Sequence, residues 1–115
     1  MLSAEHRLRH KKDFDSISTK GLKIYGQGFV LRFGKRFKPE APTRFGFVVG
    51  TKVSKDSVVR NRLKRRMREA VREFVARVPA GFDVVVVAFA EAKDADFEMV
   101  REQMKYMLAK AKLLA

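Results

Sequence analysis

Val58-Val59-Arg60-Asn61-Arg62-Leu63-Lys64-Arg65-Arg66-Met67-Arg68 is the stretch whose periodicity decides the fold. Six of the nine residues from Arg60 to Arg68 are cationic and none is acidic. Apolar residues still recur at steps of three and four: Val59, Leu63, Met67, Ala70, Val71, Phe74, Val75 and Val78. That is one stripe of an amphipathic helix. The helix is expected from Ser57 to Arg77, capped by Asp56 or Ser57 and ended by Pro79-Ala80-Gly81. One face sinks into a core, and the others carry guanidinium groups.

Strand patterns flank this helix. Before it, Arg44 to Gly50 alternates, with Phe45, Phe47 and Val49 opposite Gly46, Val48 and Gly50. Two glycines on one face leave bare backbone that another group can approach closely. Upstream, Phe29, Leu31 and Phe33 oppose Val30, Arg32 and Gly34, and Pro39-Glu40-Ala41-Pro42 reads as the loop of a hairpin joining the two strands. Leu22 to Tyr25 suits a short strand before the Gly26-Gln27-Gly28 turn, and Lys12 to Thr19 a short helix with Phe14 and Ile17 on one side and Gly21 as its stop. After the basic helix, Asp83 to Ala90 is nearly all apolar, as a strand covered on both faces must be. Asp94 or Asp96 then caps a last helix, Phe97 to Leu113, whose stripe is Phe97, Val100, Met104, Met107, Leu108 and Ala111. The expected architecture is α+β: a single-domain sandwich over residues 1–115, a small, mostly antiparallel sheet of about four strands with helices packed on it, in the order α-β-β-β-α-β-α. Residues 1–10 are expected to be a basic, mobile segment.

Composition narrows the partner. The chain has 115 residues, 46% hydrophobic, enough for one core and too apolar for disorder. No apolar run approaches the ~20 residues of a membrane span, and no secretory signal is expected, so the chain is expected to be cytoplasmic. It has no cysteine, hence neither disulfides nor thiolate metal sites. The net charge is +13 and unevenly spread: residues 1–79 hold 21 Lys/Arg against 7 Asp/Glu, and residues 80–115 hold 5 against 6. Such asymmetry points to a polyanion, and nucleic acid fits better than a membrane because the basic helix lacks an aromatic apolar face.

Charges along the helix conflict with one another. Arg60, Lys64 and Arg68 stack four apart, and Asn61, Arg65 and Arg72 line another side, with Arg66 also on the free surface. Like charges at this spacing repel by a few tenths of a kcal/mol per pair, and cations in the first turns oppose the helix dipole. An external phosphate relieves both penalties, and arginine suits forked phosphate contacts. Elsewhere the chain lacks the groups of a nuclease. His6 and His10 are isolated, the carboxylates read as caps and helix pairs, and no nucleophile–base pair, P-loop or metal-ligand spacing occurs.

Val58-Val59-Arg60-Asn61-Arg62-Leu63-Lys64-Arg65 resembles the RNR motif of the bacterial ribonuclease P protein subunit. Arg7-Leu8-Arg9-His10-Lys11-Lys12-Asp13-Phe14, Arg44 to Val49, Lys52-Val53 and Asp83 to Ala88 resemble that family's other segments in the same order, over nearly the whole chain. The resemblance implies a small partner of a catalytic RNA, which removes the 5′ leader of precursor tRNA with magnesium held mainly by the RNA. It implies a left-handed βαβ crossover, against the usual hand. It also implies that Lys52, Arg60, Asn61, Arg62, Lys64, Arg65 and Arg68 contact the catalytic RNA. Arg9, Lys12, Phe14, Phe29, Arg32 and Phe33 become candidates for a leader-binding cleft between the first helix and the sheet, where bases stack on aromatic side chains. No protein-bound cofactor, DNA or membrane partner is implied. Two features depart from the family pattern. Ile17 and Ser18 stand where a second aromatic is common, and Ser54-Lys55-Asp56-Ser57 makes the connector one residue longer. A ribosomal or other structured-RNA-binding protein without a processing role is the alternative.

Overall fold

The computed structural model describes residues 2–114. Three helices and four strands follow in the expected order: α1 (Lys11–Lys20), β1 (Leu22–Gly26), β2 (Phe29–Lys35), β3 (Arg44–Val48), α2 (Ser57–Arg72), β4 (Phe82–Ala88) and α3 (Phe97–Lys110). Short 3-10 turns cover Ala4–His6, Val75–Arg77 and Ala90–Ala92. The basic helix thus ends at Arg72, one turn earlier than its periodicity suggests, and a tighter turn completes the stretch. Asp56 caps it by accepting from the Val58 N–H at 2.9 Å, and Asp96 caps α3 by accepting from the Met99 N–H at 2.9 Å. No helix among the described residues is long and apolar enough to cross a membrane.

The sheet order is β1-β2-β4-β3, with β1–β2 and β2–β4 antiparallel and β3–β4 parallel. β2 and β3 are therefore not a hairpin, contrary to the reading of Pro39 to Pro42. β4, the most apolar strand, takes the slot between them, where both faces can be covered. The 36–43 connection instead wraps the start of β4. The Arg36 N–H donates to the Gly81 carbonyl, and the Gly81 N–H donates to the Ala41 carbonyl, both at 2.7 Å. Gly81 has φ +97°, and a Cβ there would lie 2.6 Å from the Pro39 carbonyl oxygen, so the crossing requires glycine.

Strand parity sorts the side chains onto two faces. Phe29, Leu31, Phe45, Phe47, Val84, Val86 and Ala88 join the main core with Leu63, Met67, Ala70 and Val71 of α2 and Val100, Met104, Met107 and Leu108 of α3. Each fully buried side chain of this size stabilises the fold by about 1.5–3 kcal/mol. Arg101 ties the two helices, donating to Glu73 at 2.8 Å and lying over the Phe74 ring. Phe97, expected in the α3 stripe, is 40% exposed at the helix start. On the opposite face α1 and Leu8 of the segment before it pack, in a small cluster of Leu8, Ile17 and Val85 with Phe14 and Val87 against it. The segment before α1 lies along the sheet edge. Leu2 and Leu8 are buried, and the Leu8 N–H donates to the Phe45 carbonyl at 2.9 Å. It covers β3, which would otherwise be a bare edge.

Candidate nucleic-acid interface

The basic residues of α2 divide into anchored and free groups. Arg66 Nη1 donates to the Ala95 carbonyl at 2.6 Å and pins α2 to the turn before α3, so it is not part of a free cationic surface. Arg60 Nη1 donates to the carbonyls of Ser54 and Lys55, both at 2.9 Å, and holds the connector against the helix. Asn61, Arg62, Lys64, Arg65 and Arg68 make no side-chain hydrogen bond or ion pair among the described residues. Asn61, Arg62 and Arg65 are exposed, whereas Lys64 and Arg68 are half-buried toward the sheet edge.

Lys64 and Arg68 reach a concavity of about 220 Å³ that also contains Arg7, Arg9, Phe14 and Gly46. Arg9 and Phe14 come from the expected leader set, Lys64 and Arg68 from the expected RNA set, and the fold brings the two together. Phe14 sits directly on Gly46; a Cβ at residue 46 would collide with the ring's Cε1 and Cζ. The bare backbone noted in the sequence is thus occupied from within the chain, whereas nothing lies within 4 Å of a Cβ built at Gly50.

Beyond Phe14 the same face of the sheet continues past α1, with Val30 buried in it but its outer positions open. The register aligns Lys23, Arg32, Val85 and Gly46 in one row and Tyr25, Val30, Val87 and Val48 in the next. Tyr25 is 63% exposed, Val48 38% and Phe89, just past the end of β4, 37%. Half-buried Arg32 has a buried Nε with no partner among the described residues, as does Arg7. The face therefore offers aromatic and aliphatic surface beside the half-buried Arg32 side chain. Lys12 is exposed on α1, and Lys52 is exposed in the connector.

Phe29 and Phe33 do not join this cleft. Phe29 is fully buried in the main core and Phe33 packs against it, both on the face under α2 and α3. Strand parity forbids them and Arg32 from sharing a face. Tyr25, Val48 and Phe89 are the residues that sequence reasoning missed. Pairing Leu22 to Tyr25 with Phe29 to Phe33 through the two-residue Gln27-Gly28 turn would have placed Tyr25 beside Val30.

The acidic residues near α1 do not cancel this positive field. Asp83 accepts two bonds from Arg44, at 2.8 and 2.7 Å, and lies near Arg36 at 3.9 Å. Asp13 lies 3.5 Å from Arg44. The Arg44 guanidinium is held above its ordinary pKa, chiefly by its hydrogen bond to Asp83, against the opposing effect of burial. His6 is occupied structurally, with Nδ1 at 2.8 Å from the Thr43 carbonyl. No group of three or more His, Asp or Glu among the described residues is placed to hold a metal ion.

The chain is similar to known proteins over nearly its whole length. The sequence model described as ribonuclease P matches residues 2–112. The chain is 34% identical over 111 residues to the ribonuclease P protein component of Microcystis aeruginosa, covering 95% of this chain and 92% of the relative. It is 38% identical over 109 residues to that of Symbiobacterium thermophilum, covering 95% and 93%. Its fold is similar to the Staphylococcus aureus RNase P protein, with a TM-score of 0.85 and 25% identity over 96% of this chain and 98% of that one. It is also similar to the Thermotoga maritima RNase P protein, with a TM-score of 0.77 and 34% identity over 90% and 96%.

Proposed function

The chain belongs to the ribonuclease P protein family, and from that premise we propose that it binds a catalytic RNA and, beside it, the 5′ leader of precursor tRNA. The observation that carries this reading is the concavity lined jointly by Arg9 and Phe14 from one side and Lys64 and Arg68 from the other. Such a junction lets one RNA lie along α2 while a single strand leaves it over the open sheet. Arg62, Lys64, Arg65 and Arg68 neutralise phosphates of the catalytic RNA, and the Asn61 amide donates to a neighbouring one. Arg9, Lys12, Phe14 and Arg32 grip the leader, with Tyr25 completing the aromatic surface, at about 1–3 kcal/mol per stacked base. Phe29 and Phe33 support the strand from beneath.

The protein's part is binding. The catalytic RNA performs magnesium-dependent hydrolysis, with its metal held mainly by RNA phosphates, and the protein raises the local occupancy of substrate and positions the leader. The work is that of a cytoplasmic tRNA-maturation ribonucleoprotein. Reconstitution tests it: precursor tRNA cleavage is measured at low magnesium with protein plus catalytic RNA, RNA alone and protein alone. Stimulation in the mixture is expected. Equal rates with and without protein would leave a structured-RNA binder with no processing role, and cleavage by protein alone would make it a nuclease in its own right.

A further inference from the structure

Phe37 is 100% exposed, the most open large apolar side chain among the described residues. A single exposed apolar residue is ordinary on a protein surface. The setting of this one is not. It stands between Lys35-Arg36 and Lys38, on a turn braced from both ends. The Arg36 N–H donates to the Gly81 carbonyl, and the Gly81 N–H to the Ala41 carbonyl. Arg36 Nη1 folds back to the Pro42 carbonyl at 2.6 Å, and the Ala41 N–H donates to the Lys38 carbonyl at 3.1 Å. The ring is therefore held out to solvent by a fixed backbone, and a partner stacking on it has little loop to order.

Cations lead away from the ring in one direction. A concavity of about 470 Å³ beside the turn is lined by Lys35, Arg36, Phe37, Lys38 and Arg44, with Asp13 and Asp83. A second, also about 470 Å³, shares Arg36 and Arg44 with it and adds Arg7, Arg9 and His10 against Glu5. Arg7 and Arg9 in turn line the junction that holds Lys64 and Arg68. The three concavities share side chains and so form one track, from α2 around the start of β3 to Phe37. Its carboxylates are answered from within: Asp83 accepts from Arg44, and Asp13 lies beside the same guanidinium. Glu40, in the same turn, lines none of the three. Arg9, Lys35 and Lys38 are exposed and make no side-chain hydrogen bond or ion pair among the described residues. A cationic track ending on an open, braced ring has the make-up of a single-strand site. Phosphates follow the cations, and an unpaired base of any identity stacks on the ring.

The two ends of β3 decide which RNA reaches Phe37. Arg44 begins the strand and Val48 ends it, about 13 Å apart at the rise of an extended chain. Phe14 of α1 lies over Gly46 between them. The proposed leader path leaves the junction toward Val48 and Tyr25, whereas the Phe37 track leaves it toward Arg44. One strand cannot depart both ways, so the track continues the RNA that lies on α2.

We infer that the turn at residues 35–38 is a second docking point for the catalytic RNA: an unpaired base stacks on Phe37, and Lys35 and Lys38 meet the flanking phosphates. The inference rests on the proposed binding of that RNA along α2 and extends it to the start of the sheet. The chain has no tryptophan, so F37W supplies a single reporter whose emission a stacked base quenches. F37W is titrated with the catalytic RNA alone, and precursor or mature tRNA is added afterwards. Quenching by the catalytic RNA, unchanged by either tRNA, is expected. F37A should bind the catalytic RNA about five- to tenfold more weakly, the scale of one stacked base. Its salt slope should stay parental, because no phosphate contact is lost. K35A/K38A should instead make the slope shallower by about 1.4–1.8. All three side chains are exposed, so urea unfolding of each variant should match the parent. Quenching that appears only with tRNA, F37A binding equal to the parent's, or a parental slope in K35A/K38A overturns the docking point alone. A parent chain that fails to bind the catalytic RNA overturns the α2 reading and the docking point together.

Discussion

The same three strands present two unlike faces. Toward α2 and α3, Phe29, Leu31, Phe45, Val84 and Val86 are all but inaccessible to solvent and join one hydrophobic core. Toward α1, alternate residues of those strands are Val30, Arg32, Gly34, Gly46, Val48, Val85 and Val87; Val30, Gly46 and Val85 are buried, but one short helix leaves the rest partly open. Two helices close the first face and no further group could enter it. The second is left with exposed aromatics beside the half-buried Arg32 side chain. On the proposed function, stability and binding fall on opposite sides of one sheet. A substitution should therefore reveal its side by which measurement it moves.

The largest effect is expected on the closed face. Leu31, 1% exposed, loses its packing in L31A, which should lower unfolding stability by about 2–5 kcal/mol. Urea unfolding measures that loss. RNA affinity under conditions where the variant stays folded should match the parent. A weakened but folded L31A complex would mean the closed face takes part in binding.

The double variant R62A/R65A should behave in the opposite way. Both side chains are exposed and unpartnered, so stability should stay within about 0.5 kcal/mol. Affinity for the catalytic RNA should fall by about 1.5–3 kcal/mol at low salt, the scale of charge-assisted hydrogen bonds. The log–log salt slope should become shallower by about 1.4–1.8 if each arginine meets one phosphate. An unchanged slope would detach these residues from the RNA.

A third variant probes the one place where the two roles meet. G46A drives a methyl group into the Phe14 ring and toward Leu8 Cδ2 at 3.2 Å. Overpacking of this kind costs about 1–3 kcal/mol, and the displaced ring should also reduce the preference for precursor over mature tRNA. Adding F14A should restore stability, since the methyl then occupies vacated space, without restoring the preference. Recovery of both would reduce Phe14 to a packing residue.

Local pattern carried much of this fold. The stripe of α2, the caps Asp56 and Asp96 and the apolar run of β4 each depend on residues near in sequence, and each was legible. Pairings between distant segments were not. Whether β3 neighbours β2 or β4 is settled by the Arg44–Asp83 pair and by the crossing at Gly81, 39 and 40 residues from their partners on β3 and at Ala41. Alternation showed that Phe29 and Arg32 face opposite ways, but it could not say which face α1 covers, and Phe29 and Phe33 were therefore set in the cleft. Arg66 illustrates the same limit, since its acceptor, Ala95, lies 29 residues away.

Arg60 provides the finest discrimination between the faces' roles. It stands first in the RNR motif and resembles a phosphate ligand, yet its Nη1 already donates to two connector carbonyls. These carbonyls end the last loop before the Asp56 cap, so their geometry sets the path that carries Lys52. A clamp and a phosphate contact respond differently to substitution. If Arg60 clamps, R60A should cost about 1 kcal/mol of stability, the net worth of a hydrogen bond, and leave the salt slope at its parental value because no counterion release is lost. R60K should fare no better, since a lysine ammonium cannot reproduce the planar fork. If Arg60 instead meets a phosphate, R60K should retain most of the affinity, and R60A should make the slope shallower by about 0.7–0.9, as R62A should. Measuring the slope for R60A, R60K and R62A side by side separates the two roles, and amide hydrogen exchange at residues 52–58 should quicken only in the first case.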